Sequence, residues 1–217
     1  MRERVIRSKF EEEVGFRDFL LNLGRMKTIP RNGWLSHDIS LQDVESVADH
    51  TFSTCALSML LADLEGKRGV KVNIENVLRM AILHDLAESL TFDISRAYLE
   101  YIGRKGEAMK REIERTAWDH IVSDIEDRDL ARKYASVQRQ YVAGLTEEAL
   151  IVHAADSIDI LLQVVNYERR GYLHAVLSGF WDERVRMMKR SPVQSARIIL
   201  KLIIREEREV RGKSRVR

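Results

Sequence analysis

The sequence predicts an all-α fold, and three observations lead to this prediction. Helix-breaking residues are scarce, because the 217 residues include only two prolines and eleven glycines. Apolar residues recur at helical spacing, and no segment shows the sustained alternation of a β-strand bounded by turn signals. Hydrophobic residues make up 45% and charged residues 32%, so the chain can bury a core beneath a highly charged surface. We therefore expect one compact helical domain over residues 1–217.

The N-terminal region is expected to form two helices joined by an ordered loop. The first helix ends near Gly24, and its apolar face contains Phe16, Phe19, Leu20 and Leu23. Residues 28–43 favour a loop because their turn formers are Pro30, Asn32 and Gly33. The second helix is predicted to begin at Ser46 and to end at Gly66, since Ser46 and Asp49 have the spacing of a capping box.

The rest of the chain continues as a series of predicted helices. A third helix is expected from about Ile74 to Ser89, and further helices cover roughly residues 107–125, 128–141, 147–169 and 192–208. From Arg205 onward the chain is densely charged, and this charged C-terminal tail is expected to fray into solvent. We find no internal repeat, which agrees with a single domain.

Composition and charge restrict the classes of function. The net charge of +2 is the difference between 36 basic and 34 acidic residues, which gives no electrostatic case for nucleic-acid binding. The single cysteine, Cys55, cannot form an internal disulfide and is expected to be a small buried hydrophobe. The apolar run from Ile198 to Ile204 contains Lys201 and is too short to span a bilayer. We therefore expect a cytoplasmic protein without a membrane partner.

Ionisable residues follow the apolar run of the third predicted helix. On a continuous helix, His84 and Glu88 share a face and Asp85 lies beside them. Imidazole and carboxylate groups in this arrangement suit a divalent metal. The alternative is a partly exposed helix end with an ordinary hydrogen-bonded histidine, and this motif alone leaves both interpretations open.

A second candidate lies in a helix that is apolar on several sides. Asp156 is surrounded in sequence by Ala, Ile, Leu and Val residues, and a buried carboxylate needs a cation or several hydrogen-bond donors. An ion pair with an arginine is the alternative. Asp159 is interpreted as a structural or supporting group, and His153 as an ordinary histidine. His50, one turn into the helix that begins at Ser46, is by itself a lone helical histidine.

Four segments together carry a family resemblance. They are Arg31-Asn32-Gly33-Trp34, Glu45-Ser46-Val47-Ala48-Asp49-His50, Leu83-His84-Asp85-Leu86-Ala87-Glu88, and Ala155-Asp156 followed by Ile160-Leu161-Leu162-Gln163. In this order and at these separations, the chain resembles the HD-domain phosphohydrolases from about Phe16 to Gly171. Within that superfamily it is similar to the branch that contains the 5′-deoxynucleotidases and related archaeal proteins.

The resemblance implies a fold, a site and an activity. The fold would be an HD-domain helical bundle with a metal site between its core helices, where His50, His84, Asp85 and Asp156 hold one divalent ion (Mn, Co, Ni, Fe, Zn or Mg). Asp85 and Glu88 would act in catalysis by a metal-activated water. The substrate contacts would come from Arg31 at the phosphate, Trp34 at the nucleoside and Asp93 near the sugar. The implied reaction releases phosphate from deoxynucleoside 5′-monophosphates.

Two departures and two alternatives accompany this assignment. Phe92 stands where relatives often carry glycine, and Arg139-Gln140-Tyr141 replaces an acidic cluster, so selectivity for the 2′-deoxy sugar is open. Another nucleotide or small phosphate ester is an alternative substrate. A catalytically silent binding module, with residues 205–217 contacting RNA or an acidic partner, is the alternative from a different class. The family also implies a homodimer, for which Ile198 to Ile204 could supply either an interface or core packing.

Overall fold

The computed structural model describes residues 17–214, and within this range the all-α prediction is confirmed. No β-strand occurs in these residues, and one isolated antiparallel bridge joins Pro30 to Ser46. The α-helices are α1 (Arg17–Met26), α2 (Asn32–Leu35), α3 (Val47–Lys67), α4 (Ile74–Leu83), α5 (Glu88–Thr91), α6 (Arg96–Ile102), α7 (Gly106–Ser123), α8 (Arg128–Ala143), α9 (Glu147–Arg169), α10 (His174–Lys189) and α11 (Gln194–Ser214). Phe16, which the sequence assigns to the first helix, lies outside the described residues.

Backbone contacts group the chain into two compact units. The described part of the first unit comprises residues 17–36, 40–49 and 83–139, and that of the second comprises residues 37–39, 50–82 and 140–214. The single domain over residues 1–217 stays a prediction. None of the described helices combines the length and the apolar character that crossing a bilayer requires.

The first unit is built around helices α5 and α7. Helix α5 packs against α1 and α7, and α6 also packs against α7. The loop before α3 is ordered by its backbone: the Arg31 N–H donates to the Glu45 carbonyl (2.9 Å), and the Val47 N–H donates to the Ile29 carbonyl (2.9 Å). The predicted capping box is present, because the Ser46 hydroxyl accepts from the Asp49 N–H (3.1 Å) and the Asp49 carboxylate accepts from the Ser46 N–H (2.9 Å). These contacts fix the start of α3.

In the second unit, the buried helix α9 packs against α10 and α11. The Thr146 hydroxyl caps α9 by accepting from the Ala149 N–H (3.2 Å). Apolar residues on several sides of α9 are fully buried, including Ile151, Ile158, Leu161 and Tyr167. The helix therefore has the multi-sided burial that its sequence predicts, and any carboxylate on it requires partners.

The structure corrects several predicted boundaries. The third predicted helix ends at Leu83 rather than Ser89, and the helices α6 and α10 were not predicted. Fraying from Arg205 onward was wrong for residues 205–214, which continue α11 and bury Glu207. Within residues 198–204, Leu200 and Ile203 are buried and contribute to core packing, whereas Ile198 and Leu202 are exposed. The interface that this run could supply stays a prediction.

Candidate active-site residues

The turn after α4 positions the candidate residues of the first unit. The Leu86 N–H donates to the Leu83 carbonyl (3.1 Å), and the Glu88 N–H donates to the Asp85 carbonyl (3.0 Å). These tight contacts between residues three apart end the α-helix. His84 and Glu88 therefore do not lie on one continuous helix, as the sequence suggested. Asp85 and Glu88 are joined instead by a single turn that starts the short helix α5.

Arg31 contacts both carboxylates of this turn. Its Nη1 donates to Asp85 Oδ2 (3.0 Å) and to Glu88 Oε2 (3.3 Å). Arg31 is more than fifty positions from both carboxylates in the sequence. The backbone hydrogen bond between Arg31 and Glu45 holds the arginine in place. The structure thus brings together three of the residues that the family resemblance selected.

The environment of Glu88 favours its protonated form. The residue is only 4% exposed, and burial is the largest reason why the pKa of its carboxyl group lies well above its ordinary value. The charges of Asp85 and Asp93 raise this pKa further, whereas Arg31 and Lys110 lower it. A carboxyl group with a raised pKa binds a proton more strongly than an ordinary glutamate, which suits proton transfer near neutral pH.

Trp34 and Asp93 both make structural contacts in the first unit. The buried Trp34 donates from Nε1 to Glu45 Oε1 (2.7 Å). The Asp93 carbonyl accepts from Asn32 Nδ2 (2.7 Å), and its carboxylate accepts from the Gly33 N–H (3.3 Å). These bonds hold the segment that carries Arg31. The contacts of Trp34 with a nucleoside and of Asp93 with a sugar stay predictions.

Phe92, the residue before Asp93, has a strained backbone. Its φ of 58° and ψ of 167° fall in a region that only glycine adopts readily. The side chain is 60% exposed, so packing provides little to offset the strain. The chain thus has a backbone conformation suited to glycine at the position where the family resemblance implies glycine.

In the second unit, His50 lies between two carboxylates of α9. The imidazole is fully buried (0% exposed), with Nδ1 at 2.7 Å from Asp159 Oδ2 and Nε2 at 3.2 Å from Asp156 Oδ1. The supporting role proposed for Asp159 agrees with this geometry. The two aspartates share a face because they are three apart on a helix. No local pattern indicates the contact of His50 with Asp159, which is 109 positions away.

Both His–Asp pairs have the spacing of neighbouring metal ligands. His84 Nε2 lies 3.3 Å from Asp85 Oδ2, and His50 Nε2 lies 3.2 Å from Asp156 Oδ1. Adjacent ligands that are about 2.1 Å from an octahedral ion are about 3 Å apart. Asp159 holds Nδ1 of His50, which directs Nε2 as a lone-pair donor, as in many metal sites. The donor types and spacing in each pair therefore fit a divalent ion.

Comparison with known proteins identifies the family. The model of the HD domain matches residues 23–194, most of the chain. The chain belongs to the HD-domain family. Among relatives of this HD-domain protein, the 5′-deoxynucleotidase hdd1 of Schizosaccharomyces pombe is 32% identical over 70% of this chain and 72% of its own. The 5′-deoxynucleotidase HDDC2 of Homo sapiens is 27% identical, covering 76% and 74%. The resemblance inferred from the four segments is confirmed.

Solved structures agree with this assignment. The PH0347 protein of Pyrococcus horikoshii OT3 is 30% identical to the HD-domain protein, with a TM-score of 0.70 over 86% of this chain and 97% of the other. An HD-domain phosphohydrolase from Listeria innocua has a TM-score of 0.74 over 93% and 98% of the two chains. Its identity is 16%, so that similarity supports the fold alone.

Proposed function

We propose that this HD-domain protein is a metal-dependent 5′-deoxynucleotidase that releases phosphate from deoxynucleoside 5′-monophosphates. The family and its curated 5′-deoxynucleotidase relatives support this activity. The observation that carries the proposal is the contact of Arg31 with both Asp85 and Glu88. This contact supports a site in which Arg31 binds phosphate beside Asp85 as a proposed metal ligand and Glu88 as a group suited to proton transfer.

The proposed metal ligands are His50, His84, Asp85 and Asp156. Their assignment to one ion follows the family resemblance, and the ligand spacing within each His–Asp pair supports it. Two imidazoles and two carboxylates suit Mn, Co, Ni, Fe, Zn or Mg, and the native ion among these is left to experiment. When bound, such an ion would offset negative charge on the phosphoryl oxygens and make a water molecule more acidic.

Arg31 and Glu88 have separate tasks in the proposed reaction. A guanidinium presents five N–H donors in a planar fork, so Arg31 can orient phosphate oxygens while its Nη1 holds Asp85. In its ionised form, Glu88 can accept a proton from the water that attacks phosphorus, and it can return that proton to the 5′ oxygen when the bond from phosphorus to this oxygen breaks. Asp93 maintains this arrangement by fixing the backbone at Gly33.

The preference for a 2′-deoxy sugar is part of the same proposal. The curated relatives are named 5′-deoxynucleotidases. Asp93 is proposed to lie near the sugar hydroxyl, and Trp34 is proposed to belong to the nucleoside pocket. Gln140 belongs to the segment Arg139-Gln140-Tyr141, where the family resemblance implies an acidic cluster, and it accepts a hydrogen bond from Asn76 Nδ2 (3.1 Å). This bond gives Gln140 a structural role in the second unit.

Phosphate release tests the activity directly. Metal-free protein is supplied with one divalent ion at a time and with matched ribo- and deoxynucleoside 5′-monophosphates. We expect turnover of the deoxy substrates, and a loss of roughly 100-fold or more in Glu88→Gln, the usual size of a general acid–base contribution. Glu126→Gln, an exposed carboxylate of the same unit, is the matched control and should retain activity. No turnover with any ion would refute the proposal.

We also propose that the protein is a homodimer that uses an exposed face of α11. Ile198 and Leu202 are 49% and 64% exposed, and they share one face because they are four residues apart on a helix. Light scattering after size exclusion should give the mass of two chains for the wild type and of one chain for Leu202→Glu. A monomeric wild type would contradict this proposal.

A cytoplasmic location completes the proposal. It rests on the single cysteine, Cys55. One cysteine cannot form an intrachain disulfide, so this protein does not need an oxidising compartment to fold. The near balance of 36 basic and 34 acidic residues supports a small-molecule substrate rather than nucleic acid. Cell fractionation tests the location, and recovery of the protein with membranes would contradict it.

A further inference from the structure

A second group of potential metal ligands lies where α9, α10 and α11 pack together. Glu168 lies in the last turn of α9, His174 is the first residue of α10, and Glu207 lies in the second half of α11. One ligand atom from each lies within 4.8 Å of the other two. Since all three helices belong to the second unit, these side chains link its helices at one point.

The distances within this group resemble those of a small ion site. His174 Nδ1 lies 2.6 Å from Glu168 Oε1 and 3.5 Å from Glu207 Oε1. Ligands held at about 2.1 Å by a tetrahedral Zn²⁺ are roughly 3.4 Å apart. The contact with Glu207 already has this length, and the contact with Glu168 needs to lengthen by less than about 1 Å. One imidazole and two carboxylates are a donor set that Zn²⁺ accepts, with water in the fourth position.

Burial gives the independent indication of a ligand. Glu168 and Glu207 are only 4% and 3% exposed, and burying two carboxylates side by side is costly without cations. Arg211 Nη1 donates to Glu207 Oε1 (2.9 Å), so one arginine serves Glu207. Glu168 Oε2, however, is buried without a hydrogen-bond partner among the described residues. A buried carboxylate oxygen with no donor is rare in folded proteins.

We propose that Glu168, His174 and Glu207 bind a Zn²⁺ ion that fastens α9, α10 and α11 together. Glu207 can keep its bond to Arg211 because a carboxylate has about four lone-pair positions. The site is separate from the proposed catalytic ligand Asp156, since Glu168 lies twelve residues later on the same helix, a rise of about 18 Å. The ion would be structural, because both glutamates are buried and the protein supplies at least three ligands.

The alternative for this group is an ion pair without metal. A protonated His174 and Arg211 would then neutralise the two glutamates. Only the metal state binds one additional ion for each chain and loses it when a ligand is replaced. Metal stoichiometry therefore decides between them, and it does so without reference to catalysis.

The test uses the full-length protein, free of any affinity tag and stripped of metal by chelation. Equilibrium dialysis against Zn²⁺, followed by elemental analysis, should show one ion fewer for each chain in Glu168→Gln than in the wild type. His174→Gln should show the same loss. Glu209→Gln, an exposed carboxylate on the same helix as Glu207, should bind as much Zn²⁺ as the wild type.

Equal stoichiometry in the wild type and in Glu168→Gln would overturn the proposal. Glu168→Gln keeps the size of the side chain and removes a buried charge, so the variant is expected to fold, which circular dichroism checks. If His174→Gln does not fold, Glu168→Gln decides alone. Ions bound at the proposed catalytic ligands are present in every protein of the set, and they cancel in the comparison.

Discussion

Replacing Asp159 by asparagine tests how the protein orients His50. The imidazole is fully buried and its Nδ1 lies 2.7 Å from Asp159 Oδ2, the length of a strong charge-assisted hydrogen bond. The substituted amide would keep the shape of the side chain but lose the negative charge that holds the Nδ1 proton and strengthens Nε2 as a ligand. Substitutions of such supporting carboxylates lower metal affinity about 10- to 100-fold, equivalent to about 1.4–2.8 kcal/mol.

The affinity is measured by competition between the protein and a chelator for Mn²⁺. Every protein in the set carries Glu168→Gln, so that the proposed zinc site does not contribute. Asp63→Asn, which removes an exposed carboxylate from the helix that carries His50, is the matched control and should leave the affinity unchanged. If Asp159→Asn leaves the affinity equal to that of the Glu168→Gln parent, the view that Asp159 prepares His50 for a metal is refuted.

The same pair of residues also predicts a change in stability. Asp159→Ala leaves the Nδ1–H of His50 buried without this acceptor, which costs about 1–3 kcal/mol. Urea unfolding of the metal-free protein should show this loss, whereas Asp159→Asn should lose less because its amide oxygen can still accept. Equal stability of the alanine and asparagine variants would show that the hydrogen bond contributes little to folding.

Three further predictions concern the backbone, a helix cap and the cysteine. Phe92→Gly should raise the free energy of unfolding by about 1 kcal/mol, because relief of about 1–3 kcal/mol of backbone strain exceeds the flexibility cost of glycine. Phe52→Gly, inside α3, is the control and should lower the free energy of unfolding. A lower free energy of unfolding for Phe92→Gly in urea would contradict the strain. Ser46→Ala should cost about 1 kcal/mol by removing the bond to the Asp49 N–H, and an unchanged urea midpoint would refute that role. Burial raises the pKa of the Cys55 thiol from 9.0 to about 11. Because the thiolate is the form that reacts, alkylation by iodoacetamide at pH 8 should be about 100-fold slower in the folded protein than in the unfolded protein. Equal alkylation rates would contradict the burial of this thiol.

Local sequence patterns predicted the helices that are determined locally. Helix α9 has the predicted bounds, Glu147–Arg169, because its apolar residues are continuous and Thr146 caps its start. The capping box at Ser46 was also predicted, since both partners lie within one turn. Helix α10 was missed because Leu173, at its N-cap, gives no capping side chain and Gly179 interrupts its apolar pattern.

The errors arose where distant contacts determine the backbone. The run from Ile74 to Ser89 has no glycine or proline, so its sequence favours one helix, but the chain turns after Leu83 and places Asp85 and Glu88 against Arg31. The family resemblance selected these residues without indicating the turn. The pairing of His50 with Asp159 spans 109 positions and leaves no periodic signal. Contacts between residues that are far apart in the sequence thus determined both the turn after Leu83 and the partner of His50.

Metal-dependent hydrolysis at these residues is tested by measuring phosphate release from paired deoxy- and ribonucleoside 5′-monophosphates, with and without a divalent ion. We predict that metal-free protein is inactive, that an added ion restores turnover, and that the deoxy substrate of each pair reacts faster. We also predict that Asp85→Asn abolishes the effect of the ion, because Asp85 is a proposed ligand and a partner of Arg31. Turnover that persists in the chelated protein, or in Asp85→Asn, would contradict metal-dependent hydrolysis at these residues.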